Sequence, residues 1–203
     1  MSAGRPRTIL MWAGVCAAIV VPLAASALSP LLAWRDPIYI IAGFAGVVGL
    51  ALLLLQPLLA GRFLPGLRGP RVLRVHRITG GFLVLAVVVH VLALWITSPP
   101  DVVDALLFVS PTPFSAWGVT AMWAIFLTAL LAIFRRRVKL SPQSWRVAHM
   151  SLGIIIVGGT VVHALLIDGT MEFLSKLALC ALVIWATFKV ALQQVSRGRQ
   201  QRR

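Results

Sequence analysis

Six runs of roughly twenty apolar residues follow one another along this chain, each set off by a polar connection. An α-helix of about 20 residues covers the hydrocarbon core of a bilayer. Lipid leaves only helices and closed barrels as spanning structures, because every backbone N–H and C=O must find its partner inside the protein. The runs are Thr8–Leu28, Ile38–Ala60, His76–Thr97, Ala116–Phe134, Val147–Ile167 and Phe173–Gln193. Only 12% of residues are charged and mean hydropathy is +0.95, against about 25% charged in an ordinary soluble domain. The expected fold is all-α: a polytopic membrane bundle of six transmembrane helices. It forms one domain over residues 1–203, with short basic tails at 1–7 and 194–203.

A net charge of +14 raises the question of nucleic acid, and the placement of the charges answers it. Arg5 and Arg7 precede the first run, and Arg62, Arg68, Arg71, Arg74 and Arg77 fall between the second and third or just inside the third. Arg135, Arg136, Arg137, Lys139 and Arg146 join the fourth to the fifth, and Arg197, Arg199, Arg202 and Arg203 close the chain. With six spans all of these share one side. Asp36, Asp101, Asp104, Asp168 and Glu172 share the other, with only Arg35 and Lys176 as nearby bases. Short loops rich in Lys and Arg stay in the cytoplasm, so both termini are expected inside. The basic excess marks topology and suits anionic lipid headgroups; no nucleic-acid partner is expected.

The first run has a basic start and an Ala25-Ser26-Ala27 stretch, as a secretory signal does. Its apolar part is longer than such signals use, so retention as a membrane helix is expected; cleavage would leave five spans and an outside N-terminus. Cys16 and Cys180 both lie in apolar runs and read as small buried hydrophobes. No phosphate loop, nucleophile elbow or paired carboxylates occur.

The four histidines form two pairs of identical spacing, His76/His90 and His149/His163, and Gly80 and Gly153 stand four residues after the first of each, giving H-x3-G-x9-H twice. Positions fourteen apart on an α-helix are about 40° from alignment and roughly 21 Å apart. Each helix therefore presents two imidazoles on one face at two depths. If the third and fifth spans face each other, matched ends meet and each couple can clamp one haem iron from both axial sides. His76 and His149 would form the inner pair, His90 and His163 the outer. A single intramembrane histidine more often bonds a neighbouring helix or relays protons; two equal pairs on parallel helices favour iron. Gly80, Gly81, Gly153, Gly158 and Gly159, with Gly43, Gly46 and Gly49, offer room beside a flat macrocycle, or ordinary close packing of membrane helices.

The segments HRITGGFLVLAVVVH and HMSLGIIIVGGTVVH, on the third and fifth of six spans, resemble the ferric reductase-like transmembrane domain family. That family includes the membrane parts of ferric reductases and NADPH oxidases, and the haem-binding subunit of periplasmic methionine sulfoxide reductase. The resemblance covers essentially the whole chain, Ile38 to Lys189 most firmly. It implies two b-type haems carrying electrons across the bilayer, the inner on His76 and His149, the outer on His90 and His163.

Full-length oxidases and reductases of the family append a cytoplasmic flavin and nicotinamide domain, whereas this chain ends at Arg203. The expected donor is thus a cytoplasmic flavin reductase, free reduced flavin or a membrane quinol. The sulfoxide reductase subunit is similar in length but lacks, in its pattern, the histidine matching His76. Four ligands favour a complete two-haem wire. Arg74, Arg77 and Arg146 lie beside the inner pair as candidates to hold haem propionates or simply as cytoplasmic loop charges. Arg35 and Lys176 are weaker candidates for the same role at the outer pair, and the 98–115 loop covers the outer haem edge or is an interfacial lid of no chemical role.

The expected protein is a bacterial inner-membrane cytochrome b that passes electrons to a periplasmic acceptor: a protein, ferric iron or oxygen. A quinol-linked or flavin-linked anchor of a periplasmic oxidoreductase is the second reading. A haem-free transporter whose histidines carry protons is the third.

Overall fold

The computed structural model describes residues 4–200, with the side chains of Gly4, Arg136, Val195, Arg197, Gly198, Arg199 and Gln200 excepted. Of the basic tails, Met1–Ala3, Arg202 and Arg203 lie outside the described residues.

Helices begin where the chain's prolines and small caps begin them. Pro37, Pro70, Pro99, Pro113 and Pro142 each open a helix; the first helical position needs no N–H, and proline's fixed φ suits it. Asp36 caps one of them, its carboxylate accepting from the amides of Ile38 at 2.7 Å and Tyr39 at 3.4 Å. Ser141 caps another, accepting from Ser144 N–H at 3.0 Å. Among the described residues seven α-helices result: α1 (Gly4–Ala27), α2 (Pro37–Ala60), α3 (Pro70–Thr97), α4 (Pro99–Leu106), α5 (Pro113–Val138), α6 (Pro142–Leu166) and α7 (Phe173–Gln200), with a 3-10 turn at Pro30–Leu32. The described residues contain no strand.

Six of these helices are long and apolar enough to cross a membrane, all but α4. The multi-pass all-helical fold read from the sequence is therefore the observed one. Element ends differ. α3 starts at Pro70 rather than His76, and α6 at Pro142 rather than Val147. Hydropathy sees only the apolar middle of a helix, whereas arginines are good helix formers and carry the turns at the polar rim. The 98–115 connection is not a plain loop, since α4 occupies half of it.

α2 is the central helix. It packs against α3 and α7, while α5 pairs with α6 and α6 meets α7. Leu53, Leu54, Leu58 and Leu59 of α2 join Leu179, Cys180, Val183 and Ala186 of α7 in the core. α1 is peripheral, touching α2 and α7, with Trp12 Nε1 donating to the Pro65 carbonyl at 3.2 Å. Large apolar side chains such as Leu85, Leu92, Ile133, Ile154 and Phe188 face outward. In water so much exposed hydrocarbon would mark an interaction surface; around a membrane bundle it is the lipid-facing skin. Inside, Gln56 Nε2 of α2 donates to Thr79 Oγ1 of α3 at 2.9 Å, a polar tie between neighbouring helices.

Candidate functional site

α3 and α6 carry all four histidines, yet among the described residues they are not packed neighbours; α2 and α5 flank them instead. What bridges the gap is the rings. His76 and His149 have ring centres 6.1 Å apart with planes at 67°. His90 and His163 have ring centres 6.4 Å apart with planes at 85°. The spacing read from the sequence therefore brings first histidine to first and second to second.

The geometry suits a shared metal. Two imidazoles bound to one ion, each nitrogen about 2.0–2.1 Å from it and each ring centre about 1 Å further back, stand about 6 Å apart. Both observed separations meet that value, and neither pair is in direct hydrogen-bond contact. Among the described residues no group of three or more His, Cys, Asp or Glu converges as a bare metal ion would need. Two opposed imidazoles would instead suit a haem iron, which takes its remaining ligands from its own macrocycle.

The pairs differ in how their rings are held. His90 Nδ1 bonds the Ala42 carbonyl of α2 at 2.7 Å, and His163 Nδ1 bonds the Phe114 carbonyl of α5 at 2.9 Å. A ring that donates Nδ1–H to a carbonyl keeps Nε2 as its ligating nitrogen, the arrangement by which proteins fix metal-binding histidines. Glycines let these rings lie flat against the flanking helices. A Cβ at Gly46 would stand 3.2 Å from His90 Nδ1, and one at Gly118 would stand 2.6 Å from His163 Nδ1.

His76 and His149 have buried Nδ1 atoms with no hydrogen-bond partner. His149 is held by stacking: the Trp145 indole, one turn earlier on α6, lies 5.3 Å away at 17° from parallel. The Arg135 guanidinium of α5 lies over the same indole, 4.7 Å from its ring centre.

A cavity of about 430 Å³ adjoins the second pair, with His90, His163, Gly46, Gly118 and Lys176 among its walls. Beside the first pair, a Cβ at Gly153 would meet nothing within 4 Å, and one at Gly80 would come 3.6 Å from Gln56 Oε1, while the open space at Gly81 lies on an exposed part of α3. Space therefore exists next to both pairs for a flat group. Gly159 serves close packing instead, since its Cβ would come 2.9 Å from the Trp117 carbonyl. Gly43 likewise faces Thr170.

The other expected residues are less close. Arg74, Arg77 and Arg146 are exposed, and Arg77 Nε reaches back to its own helix at the Leu73 carbonyl, 3.4 Å away. Arg35 lies over the Tyr39 ring at 4.8 Å. Lys176, by contrast, is buried at 4% exposure. Trp145, Arg135 and Gly118 escaped the sequence reading. The i, i+4 spacing of Trp145 and His149 was a signal for the first; nothing local marked the other two, whose partners lie on another helix.

Comparison with curated proteins and with solved structures returned no match. The family described as ferric reductase like transmembrane component matches residues 45–160, a segment that holds three of the four histidines and ends three residues before His163. More than half of the chain lies within that match: it belongs to the ferric reductase like transmembrane component family and is a multi-pass membrane redox component.

Proposed function

We propose that this protein is a cytochrome b that carries electrons across a bacterial inner membrane through two b-type haems, one between His76 and His149, the other between His90 and His163. The observation that carries the reading is the pair of ring separations, 6.1 and 6.4 Å, on helices that otherwise stand apart. A transporter using its histidines as a proton relay would have no need of two couples held at iron-bridging distance.

When bound, haem supplies one-electron chemistry at its iron. The protein's residues do the rest. His90 and His163 are oriented by the Ala42 and Phe114 carbonyls, which also raise the basicity of the ligating nitrogen. His149 is oriented by Trp145. The fourteen-residue offset sets the two sites roughly 21 Å apart along the helices, and the apolar bundle excludes water between them. Arg74, Arg77 and Arg146, at the helix rim near His76 and His149, would hold carboxylates of the first haem or meet anionic lipid.

In this reading both termini and the His76/His149 site face the cytoplasm, as the concentration of Lys and Arg in the loops on that side supports. A cytoplasmic flavin reductase or a membrane quinol gives up electrons there. The acceptor at the outer site is ferric iron, oxygen or a periplasmic oxidoreductase.

Purified protein should be red, with a reduced α-band of low-spin b haem, and a pyridine haemochrome assay should count two haems per chain. His90→Ala and His163→Ala should each leave one haem, as should His76→Ala and His149→Ala. A folded, colourless preparation would sink the reading in favour of the transporter.

A further inference from the structure

Among the described residues Lys176 is the one charged side chain that is buried, 4% exposed at the start of α7. Its Nζ donates to the Ile167 carbonyl, which ends α6, at 2.7 Å. An ammonium has three protons to place, and no other partner takes the remaining two among the described residues. Glu172, one turn back, spends its carboxylate on the amides of Leu174 at 2.8 Å and Ser175 at 3.0 Å. Asp101 across the cavity accepts from Ser98, and Asp168 forms no ion pair with the lysine. A buried ammonium with one carbonyl for company is left short of the hydrogen-bond partners it had in water, and ionisable groups inside membrane spans are usually there for a ligand or a charge path.

The ammonium lines the same cavity as His90 and His163. That cavity is otherwise walled mainly by apolar side chains, with Lys176 as the only lysine or arginine among the described residues that line it. We propose that Lys176 is the anion anchor of the outer haem site, its ammonium holding a carboxylate of the macrocycle. This rests on the two-haem reading and deepens it. The residue then has two linked jobs: one proton closes the end of α6, and the charge selects and retains an anionic edge in a cavity that offers it no other cation. A positive charge so close to the site also favours the reduced iron, so Lys176 helps to set the potential at which the outer haem accepts an electron.

The test separates the charge from the helix cap. Lys176→Gln keeps an N–H donor for the Ile167 carbonyl and loses the charge; Lys176→Arg keeps the charge. In the haem-loaded protein, transfer of haem to excess apomyoglobin and a spectroscopic redox titration are followed for both. The outer wave is identified as the one missing from His163→Ala. The expected result is that Lys176→Gln releases the outer haem about tenfold faster or more, the loss of one charge-assisted hydrogen bond, and shifts the outer wave to lower potential. The inner wave stays in place, and Lys176→Arg behaves nearly as the unmodified protein. A Lys176→Gln protein with unchanged release and potential would overturn the assignment alone, leaving Lys176 as a cap of α6. Equal loss of both haems from both variants would overturn it too, as the mark of a purely structural lysine. An unmodified protein without haem would instead remove the two-haem reading itself.

Discussion

The Trp145 indole lies 5.3 Å from the His149 imidazole and only 17° from parallel to it, and the Arg135 guanidinium lies over the same indole, 4.7 Å from its ring centre. His149 has no hydrogen bond at Nδ1, so this stack is what fixes its ring plane. The stack also brings a permanent positive charge within reach of the first site.

Trp145→Ala should therefore loosen the inner haem, by about two- to tenfold in affinity if an aromatic pair contributes about 0.5–1.5 kcal/mol. Trp145→Phe should restore most of it. Arg135→Gln, which leaves the indole in place, should lower the inner midpoint potential without changing haem content. Redox titration with haem counting checks all three, and an unmoved inner wave in Arg135→Gln would refute the electrostatic part.

Gly118→Ala should displace His163, because the added Cβ would sit 2.6 Å from Nδ1 and break into the bond to the Phe114 carbonyl. Overpacking of this kind costs about 1–3 kcal/mol, and the expected product holds the inner haem and little or no outer haem. Gly158→Ala is the control, since its Cβ meets nothing within 4 Å. Haemochrome counts near one and near two per chain, respectively, are the expected readout.

The ring planes cross at 85° in the second pair and 67° in the first. Crossed axial imidazoles leave the iron d orbitals close in energy, so the oxidised protein should give strongly anisotropic low-spin EPR signals, the outer haem more so. Removal of the outer haem by His163→Ala should abolish the more anisotropic of the two. Two rhombic signals of the parallel-ligand type would contradict the observed planes.

Glu172 holds the start of α7 by accepting from the amides of Leu174 and Ser175, and these bonds draw its carboxyl below the usual range. A depressed carboxyl contributes stability above its ordinary titration range and loses it as pH falls through the lowered value. The start of α7 should thus fray in acid, below the range where glutamate ordinarily protonates. Glu172→Gln should show that fraying at neutral pH and flatten the acid limb. Amide hydrogen exchange at Ser175 and Lys176 measures both.

Much of the fold was legible because membrane helices announce themselves by length and hydropathy alone, and all six spans were found. Their ends were not, since Arg71 and Arg74 extend α3 through a polar turn and a half that hydropathy cannot see. The pairing of His76 with His149 and His90 with His163 followed from equal spacing on two parallel helices. What holds those rings did not follow. Ala42 and Phe114 act through backbone carbonyls, which have no residue signature, and Gly118 acts by lacking a side chain on a helix remote in sequence from His163. Lys176 was visible as a base near the outer end, but its burial is a property of the folded bundle.

α3 and α6 are not packed neighbours among the described residues, and their histidine rings face each other at two depths. Under the two-haem reading, porphyrin is mortar as well as wire. Nascent chains made while haem synthesis is limiting would carry an unfilled seam down the middle of the molecule, open to lipid and to membrane proteases. The cell's supply of iron would then govern how much of this protein survives, before it governs how fast any of it works.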